Sequence, residues 1–214
     1  MSRVVGVDGC RGGWLAAVAS GPARPTLTWH LLATFDAVLA LAAGDPVGVD
    51  MPLLPLPGGG ARRRSDVAAR EFLGPARSSI FWSPPASALE RWRRDPVHPL
   101  GIGVSIQTWN LLPKIAEIAD GDVRGLLEVH PECSFRALAP DVGFASKKTP
   151  VGRGQRLEAL ARWADLPPGG TVPARVVEDA VDASVVAWTV ARHARGAAVT
   201  LPADPAPGEP VITV

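Results

Sequence analysis

Short apolar runs, broken by glycine- and proline-rich turns, fill the first fifty residues of the chain. Runs rich in β-branched residues, such as RVVGVD, are typical of buried strands, and the turn GCRGG is short enough to join two strands in a hairpin. FDAVLALAA instead has helical periodicity, with Thr34 as its N-cap. We therefore predict strands over 3–8, 14–20, 26–33 and 46–52 and a helix over 35–43.

Helical patterns dominate the rest of the chain, separated by loops such as LLPLPGGG and PPGG. Ser65 is the expected N-cap of the first helix in this part, and Pro113 is expected to kink or split a longer one. The predicted elements are helices over 65–73, 86–94, 105–120, 154–164 and 178–194, a strand over 126–130, and edge strands in AAVTLP and PVITV.

The order of these elements predicts the fold class. Three antiparallel strands followed by crossover units make a mixed α/β sheet flanked by helices. The same order is found in ribonuclease H-like folds. We expect a single ribonuclease H-like domain over 1–214, with a largely helical insertion after the fourth strand, at about 53–125.

Composition and charge exclude several classes of protein. Hydrophobic residues make up 47% of the 214 residues and charged residues 20%, which excludes general disorder. No apolar run is long enough to span a membrane, and no signal peptide is recognisable. Cys10 and Cys133 form neither a disulfide framework nor a CxxC pair, so we expect a reduced, cytoplasmic protein.

The net charge of +1 lacks the strongly basic balance of many nucleic-acid-binding proteins. Its distribution is uneven, however. Segment 53–114 carries nine Lys or Arg against four Asp or Glu, and segment 145–175 carries six against two. Two basic stretches therefore alternate with acidic ones. They either form solvated surface or bind a small substrate or a structured nucleic acid.

Acidic residues at strand ends are the main candidates for chemistry. Asp8 ends the first strand and Asp50 the fourth, and Asp179 and Asp182 share one face of the last helix. If these elements are neighbours, the carboxylates converge and repel one another unless a hard cation such as Mg²⁺ or Mn²⁺ joins them. Each acid also has a purely structural explanation. Asp8 can accept hydrogen bonds from the turn that follows it, and Asp50 can form a turn. Asp179 and Asp182 can interact with the positive end of the helix dipole.

Seven segments together resemble the family called domain of unknown function 429, which is generally described as predicted ribonuclease H-like nucleases related to Holliday-junction resolvases. The resemblance covers nearly the whole chain in order. The segments are GVDGCRGGW, GVDMP, LGPARSSIF, SIQTWNLLPKI, EVHPECSF, SKKT and EDAVDA.

The resemblance implies a set of site residues. Asp8 matches the first-strand acid of ribonuclease H-like nucleases, and Asp50 resembles the fourth-strand acid. Asp179 and Asp182 look like the late-helix acids of the resolvase branch. Glu132, in the triplet HPE, is similar to a signature acid of the family whose role the nuclease pattern does not define.

The leading hypothesis is a nuclease that hydrolyses phosphodiester bonds by a two-metal mechanism. Asp8, Asp50 and Asp182 are the expected ligands of Mg²⁺ or Mn²⁺, with Asp179 and Glu132 as further ligands or a general base. The candidates for binding the substrate's phosphates are Arg77, Lys114, Lys147 and Lys148.

Two other functions stay open. One is an actin-like or sugar-kinase-type ATPase or phosphotransferase, in which GVDGCRGG holds phosphate; the other is a non-catalytic binding protein with the same fold. A nucleic acid is the expected partner of the leading hypothesis, no membrane partner is expected, and a homodimer is left open. GPARSS is read either as an anion-binding turn or as the end of a helix capped by Gly74.

Overall fold

The computed structural model describes residues 3–53, 56–58, 62–97, 104–121 and 123–214. The chain divides into two compact units. The first unit comprises Met1–Asp50, Gly125–Val199 and Thr213–Val214, and the second comprises Met51–Arg124 and Thr200–Ile212.

The first unit is built on a five-stranded mixed sheet with the strand order β3-β2-β1-β4-β5. β1, β2 and β3 pair in antiparallel fashion, whereas β4 and β5 run parallel to β1. The predicted hairpin and the predicted mixed sheet are therefore confirmed. The strands are β1 (Val4–Cys10), β2 (Gly13–Ser20), β3 (Thr26–Leu32), β4 (Val47–Val49) and β5 (Leu126–Glu128).

All six predicted helices are confirmed, and their ends shift by at most four residues. Thr34 caps α1 by accepting a hydrogen bond from the backbone N–H of Ala37. The helices are α1 (Phe35–Ala42), α2 (Arg64–Leu73), α3 (Ala86–Arg94), α4 (Ile106–Ala119), α5 (Pro131–Leu138), α6 (Pro150–Ala161) and α7 (Val177–His193). The short strands β6 (Thr200–Leu201) and β7 (Ile212–Thr213) form a separate two-stranded sheet.

One local prediction is wrong, and one helix was not predicted. Ser65 is not the N-cap of α2, because the helix starts at Arg64 and Arg63 occupies the cap position without a capping side-chain hydrogen bond. PECSF, which had no predicted structure, lies in α5, where Pro131 takes the first-turn position that tolerates its missing N–H. Pro113 lies inside α4 without splitting it.

α7 is the central helix of the first unit. Every residue from Ala180 to Ala191 is buried. One side of α7 packs small residues against β1 and β2. The other side packs Val181, Val185 and Trp188 against Phe135 of α5 and Leu160 of α6. The helix is thus fixed from both sides, which holds its N-terminal acids in place.

Gly6 allows α7 to cross β1 at very short range. A Cβ atom at this position would lie 2.1 Å from the backbone N of Ala187 and 2.2 Å from the backbone O of Ala183. No side chain fits in that space, so only glycine permits this packing. Among the described residues, no helix has the length and apolar character needed to cross a membrane.

Candidate functional site

Asp8 and Asp50 lie side by side at one edge of the sheet. β1 and β4 are parallel neighbours in which Val7 is paired with Val49, and the backbone N–H of Asp50 donates to the carbonyl O of Val7 over 2.9 Å. Each aspartate comes directly after this last pair. Asp8 is 8% exposed and Asp50 is half-buried, so both carboxyl groups are largely removed from water.

α7 brings Asp182 to the same place. Because α7 crosses β1 at Gly6, Asp182, which adjoins Ala183, lies near the end of the strand that holds Asp8. Asp182 is 2% exposed. Its carboxylate Oδ2 accepts a hydrogen bond from Lys147 Nζ at 2.6 Å, which forms an ion pair. We call Asp8, Asp50, Asp182 and Lys147 the acidic cluster.

Burial and mutual repulsion raise the pKa of Asp8, which lies inside β1 rather than at its predicted end, and of Asp50. Burial is the main cause at Asp8, whose pKa lies well above its ordinary value; the negative charges of Asp50, Asp182 and Asp179 add to the shift. Burial likewise raises the pKa of Asp50 to about 8; the negative charges of Asp182, Glu128 and Glu132 add to the rise, and Lys147 opposes it. The carboxyl group of Asp50 therefore tends to hold a proton at neutral pH.

Lys147 supplies the positive charge within the acidic cluster. Burial on its own lowers the pKa of Lys147, but the charge and hydrogen bond of Asp182, with Asp8 and Asp50, raise it above its ordinary value. The ammonium group thus stays charged. Burial raises the pKa of Asp182, and Lys147 opposes that rise. One ammonium group faces three aspartates, so the cluster has an excess of acid.

Glu132 is engaged by a buried arginine. Both of its carboxylate oxygens accept from Arg156 Nη2, at 3.0 and 2.8 Å. Arg156 is 3% exposed, and its guanidinium carbon lies 5.3 and 5.1 Å from the ring centres of Phe135 and Phe144. This ion pair links α5 to α6 and fixes the Glu132 carboxylate close enough to the cluster to raise the pKa of Asp50.

The remaining acids lie around the cluster in different settings. Glu128 ends β5 opposite Val49 and is buried. Asp179 is half-buried in the first turn of α7 and contributes to the raised pKa of Asp8. Glu178, its neighbour, forms an ion pair with Arg153 at 3.0 Å. The predicted convergence of acids thus has Asp8, Asp50 and Asp182 at its centre.

The four predicted phosphate-binding residues fall into two groups. Lys147 belongs to the acidic cluster, and Lys148 next to it is exposed. Arg77 and Lys114 belong to the second unit: Arg77 lies in the 3-10 helix Gly74–Ser79 and Lys114 lies in α4.

Arg156 is the site residue that the sequence analysis missed. It lies on the apolar face of α6, three and four residues before the buried Ala159 and Leu160. An arginine at such a position indicates a buried ion pair, because a guanidinium group on an apolar face needs a partner. The spacing of Arg156 from Ala159 and Leu160 therefore indicates a buried arginine from sequence alone. Identifying Glu132 as its partner requires the structure.

The donor set of the cluster suits a hard divalent cation. Carboxylate oxygens are the ligands that Mg²⁺ and Mn²⁺ prefer, and a bound cation would favour the ionised form of carboxyl groups that otherwise repel one another. In the side-chain positions described, no group of three or more acids, histidines or cysteines is arranged to hold a metal ion, and Lys147 contacts Asp182 directly. Burial raises the pKa of the neighbouring Cys133 to about 12, with Asp50 and Glu132 adding to the shift, so its thiol stays protonated.

Comparison with known proteins gives one finding. Residues 6–207 match the family described as "Protein of unknown function (DUF429)", a range that includes all of the acids discussed above. No curated protein matches the chain. No solved structure matches it either.

Proposed function

The chain belongs to the DUF429 family, as its motifs predicted, and from that premise we propose that its first unit is a divalent-metal-dependent phosphodiesterase that acts as a nuclease. The observation that carries the proposal is the acidic cluster, in which the buried Asp8 and Asp182 and the half-buried Asp50, which follows β4, surround a single ammonium group.

Buried acids without enough positive charge are costly for a fold. An ionised carboxylate in a buried site needs a cation, an arginine or several hydrogen-bond donors. Glu132 has both oxygens on Arg156, whereas Asp8 and Asp50 instead have raised pKa values. Proteins often keep such strained ionisable groups because function requires them.

Asp8, Asp50 and Asp182 are the residues that would hold the metal. When bound, divalent ions stabilise the attacking and leaving oxygens of a phosphodiester displacement. Lys147 is 42% exposed, so its ammonium group can also reach solvent and donate to a phosphate oxygen of a substrate. Asp179, one helical turn before Asp182, would serve as a further ligand or as the general base that accepts a proton from water.

In this proposal Glu132 is a positioning residue. Because Arg156 binds both of its carboxylate oxygens, Glu132 is expected to act through its negative charge and through the α5–α6 connection. The strand order β3-β2-β1-β4-β5 is compatible with a ribonuclease H-like fold, in which acids of the first and fourth strands share one edge. That strand order suits a nuclease, and the acidic cluster favours a metal-dependent enzyme over a non-catalytic protein with the same fold.

A cleavage assay tests the proposal. Fluorescently labelled single- and double-stranded DNA and RNA are incubated with the protein in Mn²⁺, Mg²⁺ or EDTA, and the products are separated by gel. We expect divalent-dependent cleavage that Asp8→Asn abolishes and that Asp36→Asn, a change at an exposed acid in α1, leaves intact. Equal cleavage by the wild type and Asp8→Asn would contradict the proposal.

A further inference from the structure

A basic cleft of about 580 Å³ lies in the second unit. Its walls are formed by Arg62, by α2, by the 3-10 helix Gly74–Ser79 and by Trp82, which follows that helix. The side chains that matter are Arg62, Arg70, Arg77 and Trp82. We call them the Arg–Trp cleft.

Trp82 organises two of these arginines. The guanidinium carbon of Arg62 lies 3.9 Å from the ring centre of Trp82, and that of Arg70 lies 4.6 Å from it. Arg70 Nη1 also donates to the carbonyl O of Ile80 at 2.6 Å. Cation–π contact and this hydrogen bond thus hold the guanidinium groups in place before any ligand arrives.

The arginines of the cleft lack acidic partners. Within the part of the chain that the structure describes, neither Arg62 nor Arg70 nor Arg77 forms an ion pair, and Glu71 is the single acid along the cleft. The arginines next to Arg62 differ. Arg63 pairs with Asp66, and Arg64 pairs with Asp204 and Glu209. Three convergent guanidinium groups repel one another, and an anionic ligand removes that repulsion.

Beyond Trp82 the surface turns aromatic and apolar. A second cleft of about 380 Å³ lies beside the first, since Arg70 and Trp82 line both. Phe81, 54% exposed, lines this second cleft together with Pro84 and Pro85. A large exposed aromatic ring beside a basic cleft indicates a ligand that has both negative charge and flat rings.

We propose that the Arg–Trp cleft and the second cleft, which Phe81 lines, bind single-stranded nucleic acid. Its phosphates contact Arg62 and Arg77, and an unpaired base stacks on Phe81. Guanidinium groups recognise phosphate well, and base stacking on aromatic side chains works without sequence preference. The inference uses residues of the second unit alone and does not depend on cleavage by the acidic cluster.

Fluorescence anisotropy with a labelled oligothymidylate of about 12 nucleotides tests this inference, a length within the range that single-strand sites cover. EDTA is present throughout, so a failure of the nuclease proposal leaves the result unaffected. We expect Arg62→Ala/Arg77→Ala to weaken binding by about tenfold or more and to reduce the salt slope by about two. Phe81→Ala removes one stacking partner and is expected to weaken binding by about 5-fold or more.

Arg94→Ala is the matched control, because Arg94 is an exposed arginine at the end of α3 outside both clefts. It should leave the affinity within about twofold, the effect of an exposed charge outside the contact surface. Tripolyphosphate is the competing probe and should displace the oligonucleotide only weakly. The inference is overturned if the wild type fails to bind at low salt, if Arg94→Ala weakens binding as much as the double variant, or if Phe81→Ala has no effect.

Discussion

Single residues of the acidic cluster combine burial with unbalanced charge. Asp50 has a pKa of about 8 because it is buried beside Asp182 and Glu128. The pKa of Asp8 is also raised mainly by burial, and among the neighbouring charges Asp50 has the largest effect on it. The protonation of these two carboxyl groups is therefore linked to each other and to folding.

Asp50→Asn should make the free energy of unfolding less dependent on pH. The folded protein keeps the proton of Asp50 up to a pH of about 8, whereas the unfolded chain releases it near 3.8. The stability of the wild type therefore falls as the pH rises through this range, by up to about 1.4 kcal/mol per pH unit. Asparagine cannot ionise, so the free energy of unfolding of the variant should fall less as the pH rises.

Thermal unfolding in EDTA at several pH values between 4 and 9 measures the difference. We expect the melting temperature of Asp50→Asn to rise relative to the wild type with each step toward alkaline pH. Parallel curves for the two proteins would show that Asp50 ionises in the folded protein as it does in water.

Lys147→Met should destabilise the protein by about 1–3 kcal/mol at pH 8, because Asp182 loses its hydrogen-bonded partner in a buried position. The effect should shrink as the pH falls, because burial raises the pKa of Asp182 and a protonated Asp182 has less need of the ammonium group. Lys148→Met is the matched control and should change the stability by less than about 0.5 kcal/mol, since Lys148 is exposed. Chemical denaturation of both variants decides the matter: equal stabilities would argue against a structural role of the Lys147–Asp182 pair.

The sequence allows part of this residue-scale picture to be predicted. A carboxylate at the end of an apolar strand is visible in GVDG and GVDM, so Asp8 and Asp50 could be identified without a structure. The partner of Asp182 could not, because Lys147 is 35 residues away and lies in a loop with no periodic pattern. Long-range pairing of this kind depends on the path of the chain.

Among the elements, the crossing of α7 over β1 determines where the acids meet. Gly6→Ala is expected to destabilise the protein by about 3 kcal/mol, since the new Cβ would collide with the backbone of α7, which moves only as a whole. Because the helix must shift, Asp182 should move away from Asp8. Gly154→Ala is the control: it lies in α6 with nothing within 4 Å of the new Cβ, and it should stabilise the protein by about 0.5–1 kcal/mol.

Urea denaturation of the two glycine variants gives the comparison. Similar changes in the free energy of unfolding for Gly6→Ala and Gly154→Ala would contradict the close packing of α7 on β1. A loss confined to Gly6→Ala would agree with it.

Elements with strong periodicity were predictable, and those defined by one or two special residues were less so. The alternation of short apolar runs and turns was sufficient to predict β1 to β4, and the apolar stripe was sufficient to predict α7. α5 was missed because HPECSF follows a strand and contains a proline, a residue that also starts helices. Ser65 resembles an N-cap in sequence, yet α2 begins one residue before it.

At the scale of the whole molecule, the two units carry opposite kinds of chemistry. The acidic cluster belongs to the first unit and the Arg–Trp cleft to the second. The near-neutral total of 22 basic and 21 acidic residues conceals this separation. The contribution of Thr200–Ile212 to the second unit had no signal in the sequence, because contact between distant segments leaves no local pattern.

Calorimetric titration of Mn²⁺ into the protein tests the central claim, that the acidic cluster is a site for a divalent cation. The titration is made with and without a short oligonucleotide on the wild type, on Asp8→Asn/Asp182→Asn and on the Asp36→Asn control. We expect the wild type and the control to bind Mn²⁺ and the double variant to lose that binding. The claim is contradicted if the wild type does not bind Mn²⁺ or if the double variant binds it equally well.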